Sequence, residues 1–342
     1  MKFHRICVLG GSGFVGSAVV QTLAAQGRYV RVLTRNRERS KDLIVLPTVE
    51  VVECNVHDQA ELNRQFSGMD AVINLVGILH EGRRGKIVNV ESGSGDYYEN
   101  HVELPRKVLM ACTVNRIQRL LHMSALGADA QSRSAYQRSK AYGEALVRAA
   151  GASGESNGLG AADFVRGYRL YTTIFRPSVI FGRGDSFLSM FAGIVKLLPI
   201  IPLAQSHARF QPVWVEDVAG AFVDALDNPA TFGATYNVCG AQVYTLRELV
   251  EFVARTVNVT PHIIPLNRCL SYLQAAVMEF APGKKLMTRD NFYSMLTDNV
   301  CDGAYPLPPG MKPAVLEAIA AEYLNGTTPR GRYTAFRGRA GR

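Results

Sequence analysis

The chain has no Cys-x-x-Cys pair, although it carries six cysteines: Cys7, Cys54, Cys112, Cys239, Cys269 and Cys301. Cysteines scattered in this way spell out neither a zinc site nor a disulfide framework. They are expected to be free thiols of a reducing compartment. The seven histidines (His4, His57, His80, His101, His122, His207, His262) also lack metal-ligand spacing, so no metal site is expected. No apolar run reaches the roughly 20 residues that a membrane-spanning helix needs. The longest, Leu188 to Ala204, is broken by Lys196, Pro199 and Pro202. It is expected to pack as a helix and loop of a smaller lobe. Its sharper reading is a cover for a quinone-like apolar ligand, or a contact with a membrane. Met1 to Arg5 is too short for the three-part secretory pattern. There is no internal repeat. These absences point to a cytoplasmic protein, at most peripheral to a membrane.

The chain does have apolar substance and positive charge. Of its 342 residues 47% are hydrophobic, which is enough for one large core or two small ones. Only 20% are charged, which argues against disorder. The net charge of +9 suits an anionic partner: nucleotide phosphates, anionic lipid or nucleic acid. Five arginines fall in Arg330 to Arg342, a basic tail expected to be solvated. Its two aromatics, Tyr333 and Phe336, are too few for an extended stacking surface, so no nucleic-acid partner is expected.

Apolar runs alternate with helical patterns through the first half. Ile6–Leu9, Tyr29–Thr34, Val49–Cys54, Ala71–Val76, Leu120–Met123 and Thr172–Arg176 read as buried strands. Val15–Ala25, Pro105–Val114, Ser139–Ala150 and Val218–Ala225 read as helices, and Thr235–Val238 as a late strand. Alternation of this kind predicts an α/β fold, a Rossmann-type doubly wound parallel sheet. Residues 1–182, with 212–240 returning, are expected to build it. Residues 183–211 and 241–329 are expected to form a smaller C-terminal mixed α/β substrate lobe, and 330–342 the tail. In that lobe Thr245 and Glu248 spell a capping box that opens a helix. Cys269–Phe280 and Ala314–Tyr323 are further helix candidates. The Gly/Ser-rich stretch from Gly151 to Gly160 reads as a surface insertion.

Gly10-Gly11-Ser12-Gly13-Phe14-Val15-Gly16 lies between the first strand and the first helix. Gly10 can turn sharply off the strand. Gly13 lets backbone approach a pyrophosphate, and Gly16 lets the helix pack close to the sheet. The N–H groups that open the helix then face the phosphates. The second strand ends in Thr34-Arg35-Asn36-Arg37, with no acid to accept from a ribose 2′-hydroxyl. Arg35 is placed to grip a 2′-phosphate instead, which favours NADP(H) over NAD(H). The alternative is a solvated basic turn. Tyr136 and Lys140 are four residues apart, which puts them on one face of a helix.

These residues resemble the short-chain dehydrogenase/reductase superfamily, in its extended and atypical branches, over nearly the whole chain. The resemblance extends to Asn55 and Val56 at the adenine-contact position, and to Leu75, Val76 and Gly77 in the segment that lines the cofactor. It extends further to Asn100 at the start of the next helix. Phe175 to Gly182, with Pro177, Ser178 and Val179, is similar to the Arg-Pro turn that presents backbone groups to the nicotinamide amide. A narrower similarity, to the accessory subunit of respiratory complex I and its bacterial relatives, runs through five stretches. They are Asn74–Leu79, Ser124–Asp129, Phe210–Ala219, Val243–Leu249 and Met287–Val300.

The resemblance implies that Tyr136 is the general acid/base at a reacting carbonyl or alcohol. Lys140 would lower the tyrosine's pKa and hold the nicotinamide ribose. Ser124 would orient the substrate oxygen. Here the chain departs from the family's pattern. The next positions, where extended members keep the working hydroxyl, are Ala125 and Leu126, and only 12 residues separate Ser124 from Tyr136. Two functions follow. One is an NADP(H)-dependent oxidoreductase or epimerase-like enzyme acting on a small molecule. The other is a non-catalytic NADPH-binding accessory or assembly protein docked on a respiratory membrane complex, peripheral to the inner membrane.

Overall fold

Strands joined by long crossovers lie parallel and are covered on both faces, so they read as unbroken apolar runs. In the computed structural model, which describes residues 2–81, 93–152, 168–281 and 285–325, those runs form one sheet. It comprises β1 (Arg5–Leu9), β2 (Tyr29–Thr34), β3 (Val49–Glu53), β4 (Ala71–Asn74), β5 (Arg119–Met123), β6 (Tyr171–Pro177) and the strand Thr235–Val238. The order across this seven-stranded sheet is Thr235–Val238, β6, β5, β4, β1, β2, β3, and every pair is parallel. β1 and β4 are buried almost throughout. β3 lies at the edge and is half exposed, which the expectation of a buried strand did not anticipate. The strand order reverses between β1 and β4, and in open α/β sheets ligands bind beyond the strand ends at such a point.

The chain divides into two compact units. The first holds Met1–Pro177, Val218–Val238 and Asp302–Met311. The expected boundary at residue 182 therefore falls at Pro177, and Ser178 and Val179 belong to the second unit. A ten-residue return, Asp302–Met311, was not foreseen. It covers the sheet edge, where the Asn237 N–H donates to the Pro306 carbonyl at 3.0 Å.

Helices of the first unit include α1 (Phe14–Ala25), Gln59–Phe66, Leu104–Val114 and Ala135–Ala152. Asp58 caps the second of these by accepting from Ala60 and Glu61. The helix expected over Ser139–Ala150 starts earlier, at Ala135, so Tyr136 is on it. Its last turn absorbs Gly151, where a side chain would overlap Thr172 on β6. The rest of the expected insertion, residues 153–160, and the basic tail lie outside the described residues. The late helix spans Val215–Asp227 rather than starting at Val218. Asp217 sits in its first turn, where an acid complements the helix dipole.

The second unit holds Ser178–Asp217, Cys239–Cys301 and Lys312–Arg342. It is mixed α/β, with three two-stranded pairs. Ile180–Phe181 lies on Val213–Trp214, Arg209–Phe210 on Tyr244–Thr245, and Ile200–Leu203 on His262–Pro265. The Thr245/Glu248 capping box opens the helix Leu246–Thr256. Leu249, Val250 and Val253 from that helix pack with Leu188, Phe191, Val195, Ile201 and Leu203. One face of the apolar stretch is thus core, while Leu197, Leu198 and Ile200 are exposed. Two cysteines correct the free-thiol expectation. Cys239 and Cys301 form a disulfide across 62 residues, with their Cα atoms 6.2 Å apart. Cys7, Cys54, Cys112 and Cys269 are thiols. Among the described residues no helix is long and apolar enough to cross a membrane. No cluster of metal-ligating side chains occurs among them either.

One strand residue overrides the apolar pattern. Arg119, at the start of β5, is fully buried and makes no ion pair among the described residues. Its guanidinium donates to the carbonyls of Ala225, Leu226 and Tyr171 and to the hydroxyls of Thr173 and Thr231, at 2.7–3.1 Å. It also lies 4.6 Å from the centre of the Phe232 ring. The cation thereby satisfies the last carbonyls of the Val215–Asp227 helix, whose C-terminus favours positive charge. Burial lowers its pKa to about 9.

Replacing Arg119 by Met removes the guanidinium donors of the Leu226 and Tyr171 carbonyls and leaves the Ala225 carbonyl to Thr231 and Asn228. The expected loss is about 3 kcal/mol of unfolding free energy, read from the urea midpoint at unchanged slope. His122, on the same strand, generates a pH dependence. Burial, with Lys140 nearby, lowers its pKa from 6.5 to about 3. Below pH 6.5 the unfolded chain takes up a proton that the folded chain refuses. Stability conferred by the neutral ring is therefore complete above about pH 6.5 and is lost as the pH falls toward 3. This one group contributes a slope of at most about 1.4 kcal/mol per pH unit. A His122→Leu variant should show a flatter urea-midpoint profile over that window.

Candidate dinucleotide site

At the end of β1 the chain must turn within a few residues and begin α1, and the glycines make that possible. Gly10 has φ +74°, and a side chain on it would press the Leu75 and Val76 backbone at 3.1 Å. Its carbonyl accepts the Gly13 N–H at 3.0 Å, which closes the turn. Gly16 has a different role from the one expected. A Cβ there would overlap the Gly10 carbonyl and Gly11, so Gly16 spares the loop itself rather than the sheet. Close packing falls to Gly11, where a Cβ would meet Val32, Val20 and Val8 at 3.0–3.2 Å. Gly13 is exposed, and a Cβ on it would meet only the Gly10 carbonyl, at 3.2 Å. It stands at the N-cap of α1 with no side-chain cap and no acid in the first turn. The helix therefore opens with unclaimed N–H groups beside an exposed loop, a fit for phosphate. Ser12 is exposed, with its hydroxyl 3.1 Å from that of Thr34. Phe14 is half-buried and Val15 buried.

The neighbouring strand ends supply the rest of the first unit's candidates. Arg35, just past β2, is exposed, and its guanidinium makes no ion pair among the described residues. Asn55 is exposed beyond β3, where its side chain accepts the His57 N–H at 3.1 Å; Val56 beside it is buried. Leu75 is buried against the Gly10 turn, and Val76 donates its N–H to the Asn74 side chain at 3.2 Å. Gly77 is exposed, and a Cβ on it would stand 3.1 Å from the Lys140 ammonium. Asn100 donates to the Asp96 carbonyl at 2.8 Å from a π-helical stretch, Glu99–Glu103.

Tyr136 and Lys140 follow β5 on one helix face. The Tyr136 ring is half-buried, edge-on to Tyr97 and His101 at 5.9 and 5.5 Å. Lys140 is buried and donates to the Met123 carbonyl at 3.1 Å. Burial lowers its pKa to about 8, opposed by the nearby Glu144. A second line of contacts was not foreseen. His101 Nε2 accepts the Ile78 N–H at 3.0 Å, so the ring proton is on Nδ1, which donates to Ser139 Oγ at 2.8 Å. Ser139 donates in turn to the Tyr136 carbonyl at 2.7 Å. Burial, with Lys140 beside it, holds His101 well below the usual histidine range, and the ring is neutral.

Ser124 is drawn elsewhere. Its hydroxyl donates to Glu144 Oε2 at 2.7 Å. Glu144 is buried and receives both arms of Arg176 at 2.8 Å, with Arg148 as a third donor. Arg176 lies 4.5 Å from the centre of the Tyr305 ring. Glu144 and Arg148 continue the four-residue ladder that starts at Tyr136 and Lys140, so the spacing held a signal for them.

The last three candidates stand at or beyond the unit boundary. Pro177 accepts the Leu126 N–H at 2.9 Å within the first unit. In the second, Ser178 Oγ and the Val179 N–H donate to Asn299 Oδ1 at 2.6 and 3.1 Å. The Val179 carbonyl accepts from Val213 at 2.9 Å. Nearby in the same unit, Arg209 is paired with Asp298.

Comparison with known proteins agrees with this architecture. The chain is similar to the protein described as NADH dehydrogenase [ubiquinone] 1 alpha subcomplex subunit 9, mitochondrial. It is 28% identical to that of Arabidopsis thaliana over 333 residues, covering 93% of this chain and 76% of the relative. It is 27% identical to that of Rattus norvegicus over 327 residues, covering 93% and 78%. Among solved structures, the dTDP-glucose 4,6-dehydratase DesIV of Streptomyces venezuelae shares the fold. The TM-score is 0.68 at 20% identity, over 98% of both chains. A model of the NAD dependent epimerase/dehydratase family matches residues 6–239, well over half of the sequence, and the chain belongs to that family.

Proposed function

We propose that this chain holds NADP(H) as an accessory or assembly protein of a respiratory NADH dehydrogenase complex, peripheral to the inner membrane. In this reading the nucleotide stabilises the fold by mass action, and the surface docks the complex. The observation that carries it is the position of Ser124. A hydroxyl that is donated to a buried carboxylate, itself held by Arg176, is not offered to a substrate oxygen. Ala125 and Leu126 bring no substitute. The similarity to subunits described as parts of NADH dehydrogenase supports the docking.

The residues proposed to hold the nucleotide are those of the glycine loop, Gly10, Ser12, Gly13, Phe14, Val15 and Gly16, with Asn55 and Val56 toward the adenine. Leu75, Val76, Gly77 and Asn100 line its middle. Tyr136, Lys140, Pro177, Ser178 and Val179 take the nicotinamide end. When bound, the nicotinamide supplies or accepts a hydride. Arg35 supports the 2′-phosphate form, because an exposed guanidinium without an ion pair among the described residues is free to take a phosphate in two hydrogen bonds.

A second reading, an NADP(H)-dependent oxidoreductase or epimerase, rests on Tyr136 and Lys140. A buried ammonium with a pKa of about 8, one turn from a phenol, suits acid–base chemistry near neutral pH.

Two measurements test these readings. Arg35→Asp should weaken NADPH binding by tenfold or more, about 1.4 kcal/mol, while NADH binding holds or improves. Unchanged NADPH affinity would remove the assignment. The purified protein should carry nucleotide, sediment with membranes and show no change in reduced-cofactor absorbance against a carbonyl panel. Turnover that disappears in Tyr136→Phe would instead establish the enzyme.

A further inference from the structure

Two buried rings beside Tyr136, those of Tyr97 and His101, take hold of backbone. β4 ends at Asn74, and the chain runs on outside the sheet through Leu75–Leu79. Its peptide groups must then find partners other than a neighbouring strand. The Ile78 N–H donates to His101 Nε2 at 3.0 Å. The Leu79 carbonyl accepts from the Tyr97 hydroxyl, also at 3.0 Å. Successive residues of the segment are thus gripped by two side chains four positions apart. The two rings stack, with centres 5.5 Å apart and planes 20° apart, and the Tyr136 ring stands edge-on to both.

The far side of this pair is fixed to the helix Ala135–Ala152. His101 Nδ1 donates to Ser139 Oγ, which donates to the Tyr136 carbonyl. The His101 backbone lies against the same helix, because a side chain at Gly143 would overlap the His101 carbonyl. His101 stands in the π-helical stretch Glu99–Glu103, a rare geometry that often marks functional sites. The segment after β4 holds the pair in return. Glu81 accepts the N–H groups of Asp96 and Tyr97 at 3.1 and 2.7 Å. Gly77 lies in the middle of the gripped segment. A Cβ on it would stand 3.1 Å from the Lys140 ammonium and 3.7 Å from His101 Nε2. All of these residues belong to the first unit.

We infer that Tyr97 and His101 form a two-point clamp that sets the distance between the Leu75–Leu79 segment and the Tyr136–Lys140 helix face, and so are positioning residues for the nicotinamide half of the dinucleotide. Neither side chain touches a reacting atom. They act through Gly77 and the Ile78 and Leu79 peptides, which the rings hold opposite Lys140. The adenosine half is assigned to the ends of β1, β2 and β3, which the clamp does not touch. The inference rests on the proposal that the first unit holds the dinucleotide.

The test titrates the whole protein with NADPH and with adenosine 2′,5′-bisphosphate, which lacks the nicotinamide half. The two arms of His101 separate by side-chain length. His101→Gln places an amide oxygen near the position of Nε2 and keeps an acceptor for Ile78. His101→Asn reaches only the position of Nδ1 and Ser139. NADPH affinity should fall about tenfold in His101→Asn, the scale of one or two lost hydrogen bonds, and stay within about twofold in His101→Gln. Tyr97→Phe keeps the stacked ring and removes only the hydroxyl, so it tests the clamp in a protein that folds. It should weaken NADPH about threefold to tenfold. The bisphosphate should bind all three variants as it binds the parent. A merely structural role would weaken both nucleotides together and would not distinguish Gln from Asn. Parallel loss of both nucleotides, or NADPH affinity unchanged in both Tyr97→Phe and His101→Asn, overturns the inference alone. Failure of the parent protein to bind either nucleotide overturns the dinucleotide proposal, and the clamp with it.

Discussion

A parallel sheet cannot be closed by tight turns, and this constraint organises the first unit. Each strand must be followed by a crossover that covers one face, so both faces are buried and the strands are apolar almost throughout. The helices then leave from the carboxyl ends of the strands, and loops gather there. Because the strand order reverses between β1 and β4, the glycine loop and the Leu75–Gly77 segment meet at that end. The candidate dinucleotide site is thus a consequence of winding. Glycine is required where the backbone of one loop crosses the other, at Gly10, and where the loop crosses itself, at Gly16.

Two buried charges inside this frame are held by many partners. Arg119 makes no ion pair among the described residues, yet each nitrogen of its guanidinium donates to at least one carbonyl or hydroxyl. Glu144 gathers two arginines and a serine hydroxyl. Removing one partner from such a cluster is costly, because it strands the others away from water. The cluster also holds the Ser124 hydroxyl on Glu144. Lys140, by contrast, is buried with a single carbonyl for a named partner, beside exposed Gly77. The polar groups near the end of β5 therefore divide: one set is closed on itself, and the other stands beside exposed Gly77.

Much of the fold was legible because its signals are local. The apolar strand runs, the helix after the glycine loop, and the Thr245/Glu248 capping box depend on residues within one or two turns of each other, although β4 stops at Asn74, two residues short of its apolar run. Boundaries moved where tertiary contacts overrode local preference. The Val215–Asp227 helix starts before Asp217 because it grows straight from a paired strand. β5 begins one residue earlier than its apolar run, since Arg119 finds carbonyls that are remote in sequence. The apolar stretch after Leu188 split into core and exposed parts, because only one face of a helix can be buried on a small lobe.

The sequence by itself determined the parallel α/β winding, the glycine loop and the four-residue ladder from Tyr136 to Arg148. Periodicity and spacing act over a few residues and need no partner from afar. Only the tertiary structure decided what those residues touch. Ser124 meets Glu144 twenty residues on, Val179 meets Asn299 across 120, and Cys239 meets Cys301 across 62. Such pairings depend on how the crossovers return the chain. No local pattern records that, and it is there that a hydroxyl or a backbone N–H is either left open for a ligand or taken up by the protein itself.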